Sequence, residues 1–142
     1  IWLGLVGSEM CIRDRLEEAP DGTQRGLDET LAALKYNADG LIPAIAQQAE
    51  SQEVLMMAWM NEASIRETLS TGQVCYWSRS RQTYWRKGES SGHVQKLVEM
   101  RADCDGDTLL LLVNQTGPAC HTNRRDCFYN RVDSDGLVVS SR

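Results

Sequence analysis

Three cysteines, Cys104, Cys120 and Cys127, fall within 24 residues, and the first sits inside Asp103-Cys104-Asp105-Gly106-Asp107. Three thiolates suit a soft or borderline metal such as zinc. Carboxylates at i, i+2 and i+4 suit a hard metal such as magnesium. A purely structural zinc site has no use for the second set, so the two sets together point to a metallo-hydrolase. If residues 103–107 are extended, Asp103, Asp105 and Asp107 share one side and Cys104 faces the other. The cysteine spacings of 16 and seven are not those of a zinc knuckle, so the sulfurs must be gathered by the fold or across two chains. The competing reading is three core cysteines beside a solvated acidic turn. An EF-hand fails on spacing, because Thr108 and Asn114 stand where its Gly and closing Glu belong. Zinc nucleobase deaminases carry His-x-Glu and Pro-Cys-x-x-Cys, and neither occurs here.

A second unusual stretch spans residues 78–93. Arg79, Arg81, Arg86 and Lys87 are interleaved with Ser and Thr and run into Gly88-Glu89-Ser90-Ser91-Gly92. Guanidinium forks, hydroxyls and glycine amides are what phosphate oxygens need, although no Walker A pattern is present. Arg79, Arg81, Trp85, Lys87, Ser91 and Gly92 are therefore candidate substrate-binding residues; a solvated basic hairpin is the alternative. His93 and His121 are the only histidines. Both are candidates for proton transfer, and His121 is preferred because it directly follows Cys120. Cys75 reads as a buried strand residue.

These residues need a scaffold. A chain of 142 residues, 42% hydrophobic and 25% charged, suffices for one domain with a core. The net charge of −5 gives no support to a nucleic-acid partner. Five cysteines without a convincing secretory signal argue for a reducing, cytoplasmic setting and against a disulfide framework. No apolar run reaches the ~18 residues that span a membrane. Residues 1–26 read as a non-native or flexible lead-in. Gly7-Ser8-Glu9-Met10-Cys11-Ile12-Arg13-Asp14-Arg15 resembles translated cloning or adapter sequence, so Cys11 is left out of the metal argument.

From residue 27 onward a helix is expected over 27–36, from Leu27, Leu31 and Leu34 on one face. Strands are expected at 41–48 and 54–59, with a turn over 50–53. Asn61 should cap a helix over 62–70. Further strands are expected at 74–78, 82–86, 94–101 and 108–114, with an edge strand at 137–139. This is an α+β fold, a mostly antiparallel sheet with two short helices, in one domain over 27–142.

Several motifs recur together in order. They are Asp39-Gly40-Leu41-Ile42-Pro43-Ala44, Glu53-Val54-Leu55-Met56-Met57-Ala58-Trp59-Met60-Asn61, Trp77-Ser78-Arg79-Ser80-Arg81 and Trp85-Arg86-Lys87-Gly88-Glu89-Ser90-Ser91-Gly92. Asp103-Cys104-Asp105-Gly106-Asp107, Gly117-Pro118-Ala119-Cys120-His121-Thr122 and Cys127-Phe128-Tyr129 follow. Together they resemble phosphoribosyl-AMP cyclohydrolase, which opens an adenine ring in histidine biosynthesis. The resemblance implies zinc on Cys104, Cys120 and Cys127, and magnesium on Asp103, Asp105 and Asp107. It implies an intertwined homodimer in which the zinc cysteines come from both chains. It also implies a small phosphorylated nucleotide as substrate and hydrolysis of its N1–C6 bond. Asn123 and Asp126 depart from the residues usual in the family, Gly and Ser, and bear on loop geometry. A zinc-stapled interaction module and a thiol redox protein are the competing function classes, and the lack of Cys-x-x-Cys weighs against the second.

Overall fold

The computed structural model describes residues 19–142. Of the expected lead-in, residues 1–18 lie outside the described residues, and 19–26 form turns and extended chain, mostly exposed. Helix α1 (Leu27–Ala33) buries Leu31 and Ala33. It stops short of residue 36 because Leu34 is already extended and the Lys35 N–H leaves the helix to bond the Gly106 carbonyl at 2.7 Å.

Strands β1 (Ile42–Gln48) and β2 (Val54–Met60) form an antiparallel hairpin. Helix α2 (Glu62–Thr71) opens with a capping box: Asn61 Oδ1 accepts from the Ser64 N–H at 2.8 Å, and Ser64 Oγ accepts from the Asn61 N–H at 2.9 Å. The next elements are β3 (Cys75–Ser78), β4 (Thr83–Arg86), β5 (Gln95–Ala102) and β6 (Leu109–Gln115). These six strands make one sheet, in the order β4-β3-β2-β1-β6-β5.

The sheet is mostly antiparallel, as expected, but it is mixed. Four of its pairings are antiparallel, but β1 and β6 run parallel, from Ala44 opposite Leu109 to Gln48 opposite Val113. A parallel pair needs a long crossover, and everything from β2 to β5 supplies it. The sheet also curls. The far strand β5 returns to the start of β3, where Gln73 bridges Lys96 and the Val74 N–H bonds the Gln95 carbonyl at 3.0 Å.

Alternation sets what the curl encloses. Ile42, Ala44 and Ala46 of β1 and Leu109, Leu111 and Val113 of β6 point inward with Leu55, Val74 and Tyr76. Each fully buried large side chain of this kind contributes about 1.5–3 kcal/mol. Cys75 is fully buried, as expected, on the side facing α2, where its N–H bonds Thr68 Oγ1 at 2.9 Å. A separate hairpin, β7 (Asn130–Asp133) with β8 (Gly136–Val139), ends the chain. Its strand β7 has no counterpart in the sequence-based expectation, because Asn130-Arg131-Val132-Asp133 is exposed throughout and carries no burial pattern.

Candidate active site

A cavity of about 450 Å³ opens between the β4 segment, the turn that follows it and the loop after β6. It gathers Arg81, Trp85, Lys87, Ser91 and His93 from the basic stretch with Cys120, His121 and Cys127 from the later one. Arg79 and Gly92 do not line it. The Arg79 guanidinium instead lies over the Trp59 ring, 4.7 Å from its centre, and the Gly92 N–H closes the turn onto the Gly88 carbonyl at 2.8 Å. In that turn the backbone N–H groups of Ser90 and Ser91 have no hydrogen-bond partner among the described residues. Arg86 is committed to helix α2, with two bonds of 2.7 and 2.9 Å to Glu67. Among the described residues Arg81 has no carboxylate partner, and its Nε donates to Ser78 Oγ at 3.3 Å.

The sulfur end of the cavity is built by a short loop. The Cys127 N–H bonds the Leu55 carbonyl at 2.7 Å, which anchors it to β2, and the Cys120 N–H bonds the Arg124 carbonyl at 3.2 Å. Asn123 turns the loop at φ 67. This left-handed conformation favours Gly and is tolerated by Asn. Asp126 is buried and accepts from the Phe128 N–H at 2.7 Å. Both residues therefore fit this loop.

The two sulfurs are close enough to feel each other's charge. Burial, then repulsion from Cys120, pushes the Cys127 thiol up to about 12. Burial acts the same way on Cys120, but hydrogen bonds from Thr122, at 3.1 Å to the sulfur, and from Cys127 outweigh it and bring its pKa below the ordinary thiol value. Lys87 is only 8% exposed. Burial lowers its pKa, while the Cys127 and Cys120 charges pull the other way. Its ammonium lies 5.6 Å from the centre of the Trp85 ring.

The acidic stretch is a turn, so the condition that it be extended is not met: β5 ends at Ala102 and the chain must reverse into β6. Asp103 Oδ1 accepts from the Asp107 and Thr108 N–H groups at 2.9 and 3.2 Å, and Gly106 takes a φ of 74°. The side chains still converge, with ligand atoms of Asp103, Asp105 and Asp107 all within 4.8 Å of one another. The carboxylates of Asp103 and Asp105 raise the pKa of Asp107, a crowding that a hard cation would relieve.

This acidic group is the one set of three potential ligands that converges among the described residues of a single chain. Cys104 sits in the same turn, exposed, ahead of β6. Cys120 and Cys127 follow the other end of that strand in the chain, and its seven residues span roughly 20 Å at ~3.3 Å per residue. One chain therefore brings together two of the three expected zinc ligands.

The model of the family "Phosphoribosyl-AMP cyclohydrolase" matches residues 56–129. The chain belongs to that family. The family is one of hydrolases that act on cyclic amidines. A phosphoribosyl-AMP cyclohydrolase of Alkalilimnicola ehrlichii is 70% identical over 124 residues, which cover 87% of this chain and 87% of the relative. One of Acidiphilium cryptum is 72% identical over 107 residues, 75% of this chain and 92% of the relative. One of Hydrogenovibrio crunogenus is 62% identical over 125 residues, 88% and 85%.

The matched span holds the cavity and the acidic turn. Sequence reasoning did not place Tyr84 or Asn123 among the site residues, although both line the cavity, and it did not single out Gln95 and Gln115, which are buried beside it. Only Gln115 left a signal, an amide side chain at an inward position of the mostly apolar strand β6; β5 around Gln95 is too polar to give one.

Proposed function

We propose that this chain hydrolyses the N1–C6 bond of 1-(5-phosphoribosyl)-AMP in histidine biosynthesis. The observation that carries this reading is the cavity that joins the Cys120–Cys127 pair to both histidines, Arg81 and the serine turn. Family membership supports the same substrate. Arg81, with the N–H groups of Ser90 and Ser91, takes a phosphate of the substrate. Tyr84 and Trp85 form the wall for the purine. Water oxygen bonds to C6, one water proton goes to the exocyclic nitrogen, and the other reaches N1 as the N1–C6 electron pair leaves on N1. The result is an amide and an amidine. His93 and His121 stand where those protons move, a share of roughly 10²–10⁴ in rate.

The donor sets fit two metals. Cys120 and Cys127 with Cys104 of a second copy would hold zinc, which supplies a polarised water with a pKa near ~7. The acidic turn would hold magnesium. The placement of Cys104 past the opposite end of β6 from the other two cysteines supports a homodimer with shared sites. Four free cysteines among the described residues accord with a reducing compartment such as the cytoplasm. Metal analysis combined with a turnover assay on this substrate tests the reading. Ring-opened product formed with about one zinc per chain supports it; full zinc with no turnover leaves a zinc-stapled module instead.

A further inference from the structure

Behind the cavity runs a line of buried polar side chains that the reaction above does not use. Tyr76, fully buried, donates from Oη to Gln95 Oε1 at 2.6 Å. Gln95, also fully buried, donates from Nε2 to Gln115 Oε1 at 2.8 Å. Gln115 Nε2 donates to the His93 and Thr116 carbonyls, both at 3.0 Å. Each buried amide is thus satisfied, and the line ends on the backbone of His93. Buried networks of this kind rigidify what they hold.

Two glycines close on the same residue from outside. A Cβ at Gly117 would lie 2.7 Å from Cδ2 and 3.2 Å from Nε2 of the His93 ring. A Cβ at Gly88 would overlap the His93 carbonyl carbon and the Val94 backbone. His93 is half-buried at the cavity wall, whereas His121 is exposed.

We propose that Tyr76, Gln95 and Gln115, with Gly88 and Gly117, form a positioning device for His93, and that His93, not His121, delivers the proton to N1. This rests on the proposed reaction. The water supplies the proton, and His93 passes it on while N1 keeps the electron pair of the broken bond, so nothing beyond water is consumed.

With two histidines in the chain, each ring gives its own NMR signal in the zinc-loaded protein. Gln115→Leu should move the His93 ring signal and leave that of His121 in place. It should lower kcat about tenfold or more, with KM and zinc content nearly unchanged. Tyr76→Phe, which removes one oxygen from the far end of the line, should do the same more weakly, and it carries the test if Gln115→Leu does not fold. His93→Gln should lower kcat by roughly 10²–10⁴, and His121→Gln by much less. A His93 signal unmoved by both network variants would overturn the positioning. A larger kcat loss in His121→Gln than in His93→Gln would overturn the proton assignment. Absence of turnover in the unaltered protein would sink the proposed reaction instead, with the ring signals still deciding the positioning.

Discussion

Arg81 faces the cavity without a carboxylate partner among the described residues, while its neighbours in the basic stretch are engaged elsewhere: Arg79 with Trp59, Arg86 with Glu67, Lys87 beside the sulfurs. Arg81→Ala should therefore raise KM by the loss of one charge-assisted hydrogen bond, about 1.5–3 kcal/mol. Arg79→Ala should change KM far less, and steady-state kinetics on both variants checks the contrast. At the acidic turn, Asp105→Asn removes one of three convergent carboxylates. It should raise the magnesium concentration needed for half-maximal activity while zinc per chain stays constant by metal analysis. Residue identities were the most legible part of the site, because metal donors and phosphate partners are chemically distinctive. Their sorting was not. Nothing in the one-dimensional pattern separates Arg81 from Arg79, since the difference is a tertiary contact with Trp59.

The elements that hold these residues were read mainly from periodicity and caps. The capping box at Asn61 is local in sequence and was therefore visible. Asn61→Ala should cost about 1 kcal/mol and lower Tm by roughly 3–6 °C, measurable by thermal denaturation. The pair Glu67–Arg86 joins α2 to β4. Its Glu67 carboxyl is held below the ordinary carboxylate range, chiefly by the Arg86 hydrogen bonds. A lowered folded-state pKa means stabilisation that is present at neutral pH and lost as pH falls through that lowered value. Arg86→Gln should therefore destabilise the protein slightly at neutral pH, as loss of an exposed ion pair does. In acid, where Glu67 is protonated, it should do so by nearly nothing, and urea unfolding at the two pH values gives the comparison. Less local features escaped the sequence. The parallel β1–β6 pair depends on which strands meet, β7 lacks a buried face, and at Asp103–Asp107 an acidic alternation fits an extended segment and a turn equally well.

At the scale of the whole molecule, the α+β class followed from the run of strands and two helices, whereas the curl that returns β5 to β3 rests on contacts far apart in the chain. That curl separates the two halves of the metal chemistry. Cys104 rides the turn before β6, Cys120 and Cys127 the loop after it, and a packed strand lies between. In the arrangement proposed above, two chains complete each active site. Refolding Cys104→Ser chains together with Cys120→Ser chains tests it most directly. Each variant alone should be inactive. In a mixed dimer with shared sites, one site lacks both mutated ligands and the other keeps all three. Random pairing makes about half the dimers mixed, each with one good site, so about a quarter of unaltered activity should return. If each site is built within one chain, no mixed dimer holds an intact set, and the refolded mixture will show no activity.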